Sequence, residues 1–207
     1  MPSILEGRLS ASGRRKADVM ILTGSEDIRI RKTIKAIRGV FEEMLLEMPY
    51  EKITVKELCA RALINKTTFY RYYPTLEDLL AEVQWEFAEP YIRRTSGLRY
   101  PDDIEAIVRE FMVYSAAQGP LYDAILSSGA YSGIMHRVID EMGEERNRNF
   151  QPPEGWSDDE WGIYIDHVNT AQTRIYRKWV QEGRRVPVER MVELTVRLIC
   201  DGARFKR

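Results

Sequence analysis

Residues 53–73, ITVKELCARALINKTTFYRYY, decide the fold expected for this chain. The stretch contains two short runs in which apolar and polar residues recur at helical spacing, and a tight turn separates them. Thr54 is a suitable N-cap for the first run, Val55 to Ala62, and Asn65 is a suitable N-cap for the second, Lys66 to Tyr73. Two short helices joined by a tight turn predict a helix-turn-helix.

The second of these helices has two different faces. Phe69 and Tyr73 are four residues apart, so both point inward, whereas Lys66, Thr67 and Tyr70 fall on the opposite face. That face lies at the N-terminal end, which meets base edges in a helix-turn-helix. Lysine bonds guanine O6 and N7, and a threonine methyl meets a thymine methyl. The pattern favours DNA recognition, with an ordinary helical hairpin carrying solvated polar residues as the alternative.

Residues 31–83 as a whole resemble the N-terminal domain of the TetR family of transcriptional regulators. The resemblance covers about a quarter of the chain and is specific in combination. It implies a DNA-binding helix-turn-helix followed by a larger helical domain that binds a ligand and dimerises. The matching residues are Tyr50, Ile53, Thr54, Val55, Leu58, Ala62, Ile64, the run Thr68-Phe69-Tyr70-Arg71-Tyr72-Tyr73, Leu79 and Leu80.

The resemblance also assigns expected DNA contacts residue by residue. The first of the two helices would contact phosphates, and the second would contact bases and backbone. Two departures stand out: Leu63 replaces the usual glycine of the turn, and Leu76 replaces a lysine common at the start of helix four. The loss of that lysine lowers the expected non-specific affinity. The candidate DNA-contacting residues are Thr54, Lys56, Asn65, Lys66, Thr67, Thr68, Tyr70, Arg71 and Tyr72.

The rest of the chain also shows helical periodicity, and no segment alternates long enough to indicate a strand. We therefore expect an all-α protein of about nine helices. The predicted division is a mobile basic arm at 1–24, the helix-turn-helix domain at 25–75 and a helical regulatory and dimerisation domain at 76–207. The other predicted helices are about Ile28–Glu47, Leu76 to about Pro90, 101–118, 121–126, 131–148, 157–182 and 187–203.

Charge is distributed unevenly along the 207 residues, although the net charge is only −1. Residues 1–75 hold 14 lysines and arginines against 9 acidic residues, and residues 76–207 hold 17 against 23. A basic N-terminal part suits a protein that presents one end to a polyanion. The arm at 1–24 either follows DNA phosphates or is a leader without a role.

Other function classes find little support in the sequence. No apolar run reaches the roughly 18 residues of a membrane span, and the N-terminus lacks a secretory signal, so we expect a cytoplasmic protein without membrane contact. No His/Cys cluster has metal-ligand spacing, and no phosphate loop or nucleophile elbow occurs. We therefore expect no cofactor, no metal and no enzymatic activity.

The C-terminal part carries two further expectations that derive mainly from the resemblance. A pocket for an unknown small-molecule effector would lie among helices four to seven, although each candidate is also a plausible plain core residue. The pocket candidates are Trp85, Tyr91, Phe111, Met112, Tyr114, Tyr122, Tyr131 and Met135. The last two helices would form a four-helix homodimer interface, unless these faces simply close the monomer core. The interface candidates are Trp161, Ile165, Val168, Gln172, Ile175, Trp179, Met191, Leu194 and Leu198.

The sequence therefore favours a homodimeric, ligand-responsive repressor that binds double-stranded DNA at a palindromic operator. The alternative is an adaptor or co-activator on the same fold that works through a partner protein and not through operator binding.

Overall fold

The computed structural model describes residues 25–127 and 151–202, and within these ranges it contains eight α-helices and no strand. The all-α prediction is confirmed. The predicted arm at 1–24 and the predicted helix at 131–148 lie outside the described residues. The helices are α1 Ser25–Glu47, α2 Val55–Arg61, α3 Lys66–Tyr72, α4 Leu76–Thr95, α5 Ile104–Ala116, α6 Pro120–Ser127, α7 Asp158–Gln181 and α8 Val188–Cys200, with a short 3-10 helix at Tyr50–Lys52.

The N-terminal helices share one apolar core. Ile37, Phe41 and Met44 are fully buried along α1, where their spacing of three and four residues builds a single stripe. Leu58 of α2 and Phe69 of α3 are buried against the same cluster. This packing holds the two short helices in place, because helices of seven residues are not stable in isolation.

Reciprocal side-chain caps begin two of the longer helices, α4 and α7. Thr75 and Asp78 form a reciprocal capping box at the start of α4. Ser157 and Glu160 form the same box at the start of α7. Each box satisfies backbone N–H groups that the first helical turn leaves without partners.

Helix α4 was predicted to reach about Pro90 or slightly beyond, and it continues five residues past Pro90 to Thr95. Proline removes one backbone hydrogen bond and usually kinks or breaks a helix. Here tertiary packing holds the last turn, because Tyr91 and Ile92 lie against the apolar clusters. Arg94 also forms an ion pair with Glu110 of α5 at 3.1 Å.

Leu63, which follows the C-terminal end of α2, has an unusual backbone conformation. Its φ is +54°, in the left-handed region, and its side chain is 92% exposed. The Leu63 N–H bonds to Ala60 O and the Ile64 N–H to Cys59 O, the paired bonds of a Schellman motif. The same motif ends α7 with glycine, since Gly183 has φ +73°. Leucine therefore occupies a position that favours glycine.

Replacing Leu63 by glycine is expected to raise the free energy of unfolding by about 1 kcal/mol. An L-residue in the left-handed region costs roughly 1–2 kcal/mol, and part of that gain is offset by the greater chain entropy of glycine. Chemical denaturation of Leu63→Gly and Leu63→Ala provides the measurement. Alanine removes the exposed side chain but keeps Cβ, so a gain in the alanine variant equal to that in glycine would disprove the backbone explanation.

Helix α6 joins the N-terminal core to the C-terminal one. Its Ile125 is buried in the cluster formed by α1 to α4, whereas Tyr122 and Leu126 are buried in a second cluster. That second cluster includes Phe111 of α5 and Tyr176 of α7. Any displacement of α6 would therefore disturb both cores. None of the helices in the described ranges combines the length and apolarity that crossing a membrane requires.

Candidate nucleic-acid interface

The inward face of α3 is fixed by two aromatic side chains, as the sequence predicts. Phe69 is fully buried, and Tyr73, the residue that ends the helix, is 5% exposed. The Tyr73 hydroxyl donates to Oε1 of Glu82 on α4 at 3.2 Å. Burial, and then the charge of Glu82, raise the pKa of Tyr73 above its usual range, so the hydroxyl stays protonated as a donor. The helix is thus anchored to both α1 and α4.

The opposite face of α3 is open to solvent. Lys66, Thr67, Tyr70 and Arg71 are all exposed, and the first turn carries no acidic residue. The Tyr70 ring is held at its edge by Phe69, with ring centroids 5.4 Å apart, while half of its surface remains accessible. A packed inner face and a free polar outer face are what a recognition helix in a major groove requires.

Asn65 and Thr68 contribute mainly to the structure of α3. Oδ1 of Asn65 accepts from the Thr68 backbone N–H at 2.7 Å and from the Thr68 hydroxyl at 2.9 Å. This confirms Asn65 as the predicted N-cap. The cap uses the carbonyl oxygen of the side chain and leaves the exposed amide group as a donor for an external acceptor.

Helix α2 presents its first turn next to this face. Oγ1 of Thr54 accepts from the Glu57 backbone N–H at 3.2 Å, so the hydroxyl proton is available to a phosphate oxygen. Lys56 is exposed beside it, whereas Tyr72 on α3 is half-buried against the N-terminal core. Leu76 also packs against that core, and its apolar side chain offers no charge to a phosphate where the family commonly has a lysine.

The cations around this surface fall into two groups. Arg61 is occupied, because it pairs with Glu47 at 2.6 Å and Glu57 at 2.8 Å. In the part of the chain that the structure describes, Lys56, Lys66 and Arg71 form no ion pair. A cation without a carboxylate partner keeps its full charge, so these three residues make this surface attractive to a polyanion.

An ion-pair network that the sequence analysis missed connects α1 with α4. The Arg38 guanidinium pairs with Glu42 at 3.0 Å, with Glu82 at 3.5 Å and, more closely, with Glu86. Hydrogen bonds to Glu86 are the largest influence that raises the pKa of Arg38. The i,i+4 pair of Arg38 and Glu42 is visible in the sequence, but its partners on α4 are 44 and 48 residues away. The network fixes the helix-turn-helix against α4.

The predicted pocket residues lie mostly in the two cores. Phe111, Met112, Tyr114 and Tyr122 are buried in the second cluster, and Trp85 packs against the first. Tyr114 donates to Phe87 O at 2.7 Å, and the hydroxyls of Tyr122 and Ser115 bond to each other at 2.8 Å. Tyr91 is half-buried at the edge of the second cluster, and Tyr131 and Met135 lie outside the described residues.

The predicted interface residues are similarly divided. Five of them are buried within the chain's own core, so those side chains pack inside the protomer: Trp161, Val168, Gln172, Trp179 and Met191. The remaining four, Ile165, Ile175, Leu194 and Leu198, are half-buried. These five side chains are therefore covered within one chain, and the homodimer interface stays a prediction. The apolar faces predicted for α7 and α8 are present, but most of their side chains pack against the same chain.

Comparison with known proteins identifies the domain that carries this surface. Residues 42–83 match the sequence model of the family described as bacterial regulatory proteins, tetR family. No curated protein sequence matches the chain.

Three solved structures resemble the whole fold at 15% sequence identity each. The transcriptional regulator FadR from Bacillus subtilis, solved in complex with stearoyl-CoA, matches over 84% of this chain and 99% of its own with a TM-score of 0.53. The fatty acid degradation regulator FadR from Bacillus halodurans matches over 89% and 100% with a TM-score of 0.52. A tetR-family transcriptional regulator from Streptomyces coelicolor matches over 87% and 81% with a TM-score of 0.50. The chain therefore has the TetR-family fold.

Proposed function

Since this chain carries the TetR-family DNA-binding domain at residues 42–83, we propose that it is a homodimeric, ligand-responsive transcriptional repressor working in the cytoplasm. The observation that carries the proposal is the two-faced helix α3. Its inner face is fixed by Phe69 and Tyr73, and its outer face exposes Lys66, Thr67 and half of the Tyr70 side chain to solvent. In this proposal these three side chains contact bases or the DNA backbone, and the other DNA contacts come from Thr54, Lys56, Asn65, Thr68, Arg71 and Tyr72.

The proposal is tested by selecting duplexes that the purified protein retains from a random-sequence pool. We expect a palindromic consensus, because a two-fold dimer reads two related half-sites. Binding to the selected duplex should weaken steeply with salt, as expected when cations displace counterions from phosphates. A pool that shows no enrichment at low salt would refute DNA reading and favour an adaptor that works through a partner protein.

A surface on α7 supports the homodimer. Ile163 is 72% exposed, which is unusual for a large apolar side chain, and Asp166, His167, Thr170 and Arg174 are exposed on the same helix. When two copies of α7 cross antiparallel at Thr170, Asp166 of one copy comes opposite Arg174 of the other. A self-complementary arrangement of this kind is what an isologous interface needs.

A shallow groove at the start of α7 extends this apolar surface. It has a volume of about 430 Å³ and is lined by Gly155, Trp156, Glu160, Ile163, Tyr164 and His167. Trp156 remains 46% exposed, although its ring contacts those of Trp161 and Tyr164. Covering an exposed tryptophan and isoleucine stabilises an assembly through apolar burial.

Replacing Ile163 by glutamate is expected to weaken dimerisation at least about 10-fold, because each dimer would lose two apolar contacts and bury two carboxylates. Sedimentation equilibrium measures the change directly. Val113→Glu is the matched control, since Val113 is an exposed valine on α5. Equal dissociation constants for Ile163→Glu and the control would exclude this surface as the dimer interface.

A repressor must also release DNA in response to a signal. The related fold of Bacillus subtilis FadR was solved with stearoyl-CoA, which supports a small-molecule effector for this chain as well. In the proposal the effector binds next to α4, α5 and α6 and changes the position of α6, which packs in both cores. Deleting the gene should raise transcription from the bound promoter; a fall would identify an activator.

A further inference from the structure

Two glutamines deep inside the protein have unused hydrogen-bonding atoms. Gln84 on α4 is 4% exposed, and neither its Nε2 nor its Oε1 has a hydrogen-bond partner. Gln172 on α7 is 3% exposed; its Nε2 donates to Asn169 at 3.2 Å, but its Oε1 has no partner. Buried polar atoms are nearly always paired in native proteins, because leaving one unpaired is costly. Both amides therefore call for an external partner.

Both glutamines flank the same aromatic cluster. Gln84 precedes Phe87 by three residues on α4, and the Phe87 ring contacts Tyr122 with centroids 5.4 Å apart. Gln172 precedes Tyr176 by four residues on α7, and the Tyr176 ring contacts Tyr122 at 6.2 Å. Residues three or four apart share a helix face. The two amides thus lie one helical turn from a common group of rings.

The tyrosine hydroxyls of this cluster, in contrast, all form hydrogen bonds. The Tyr114 hydroxyl donates to Phe87 O, and the Tyr122 hydroxyl bonds Ser115. The Tyr176 hydroxyl bonds Asp123 at 2.7 Å and Ser115 O at 2.8 Å. The rings offer apolar surface to a ligand, and the glutamines offer the hydrogen bonds.

We propose that Gln84 is the specificity-determining contact of the effector site, with Gln172 as a second acceptor-bearing group. The inference rests on the proposed ligand-responsive function. Gln84 has both a donor and an acceptor to spare, so it matches a carbonyl or amide group. Among the described residues no charged side chain is buried, so the buried part of the ligand is uncharged. The ligand class is a neutral molecule with an aromatic body and a carbonyl or carboxamide group. A purely hydrocarbon ligand would leave Gln84 unpaired.

The first arm of the test needs no ligand. Gln84→Met keeps the side-chain length and removes the unpaired amide, so the melting temperature of the ligand-free protein should rise by about 2–4 °C. Gln118→Met is the control, because the Gln118 Nε2 already donates to Tyr114 O at 3.0 Å, and its removal should give no rise. A melting temperature for Gln84→Met at or below that of the wild type would overturn the proposal.

The second arm uses benzamide and toluene at matched millimolar concentrations as probes. Benzamide should raise the melting temperature of the wild type more than toluene does, and this difference should vanish in Gln84→Met. Toluene stabilising the wild type as much as benzamide would overturn the assignment. Selection of DNA by the wild-type protein distinguishes failure of this inference from failure of the proposed function. If the selection enriches a palindrome but benzamide does not change the melting temperature, the proposed function stands and the role of Gln84 is wrong.

Discussion

Replacing Lys66 and Tyr70 together by alanine is expected to lower affinity for the selected duplex about 100-fold, since each base or backbone contact supplies roughly 1–3 kcal/mol. Both side chains lie on the outer face of α3 and have no role in its packing beyond the ring edge of Tyr70. The free energy of unfolding should therefore change by less than about 1 kcal/mol. Fluorescence anisotropy gives the affinity, and chemical denaturation gives the stability.

The two substitutions should also differ from each other. If Lys66 contacts a phosphate, Lys66→Ala should reduce the slope of log affinity against log salt by about 0.9, because one fewer phosphate charge is neutralised. If Lys66 contacts guanine instead, the slope should change less than this. Lys178→Ala on α7 is the control for loss of charge. A double variant that binds as tightly as Lys178→Ala would show that α3 does not contact DNA.

The second large effect is expected in the C-terminal core, where Asp123→Ala should lower the free energy of unfolding by about 2–3 kcal/mol. Asp123 on α6 receives Arg184 on both carboxylate oxygens, at 2.9 and 2.8 Å, and the buried Tyr176 hydroxyl at 2.7 Å. Arg184 also lies over the Trp179 ring, 5.5 Å from its centroid. Removing the carboxylate leaves the buried Tyr176 hydroxyl and the exposed Arg184 guanidinium without this charged partner.

Denaturation of the single and double variants tests this network as a unit. Arg184→Ala should also destabilise, but Asp123→Ala with Arg184→Ala should cost less than the sum of the two, because no charge is then left unpaired. Strict additivity would show that the two side chains do not interact in solution. Since α6 packs in both cores, Asp123→Ala is also expected to reduce the protection of α1 amides from hydrogen exchange.

Local features of this fold were predictable from the sequence. Thr54 and Asn65 cap the helices they were expected to cap, because a cap depends on a side chain and a backbone N–H only a few residues away. The orientation of α3 was predictable for the same reason: the four-residue spacing of Phe69 and Tyr73 determines which face is buried.

Non-local features were not predictable. The apolar spacing of Trp161, Val168 and Trp179 shows that one face of α7 is buried, but periodicity does not say whether the partner is the same chain or a second copy. The ion pairs of Arg38 with α4 and of Asp123 with Arg184 join residues that are far apart in sequence, so no local pattern reveals them. The left-handed Leu63 was visible only as a departure from a family pattern.

The central claim, that α3 reads DNA, is tested most directly by a footprint on the DNA upstream of the gene that encodes this chain. We expect two protected half-sites related by two-fold symmetry, with centres about 10–10.5 base pairs or a multiple apart. Lys66→Ala with Tyr70→Ala should abolish the protection at the same protein concentration. A footprint that the double variant reproduces in full would contradict the account.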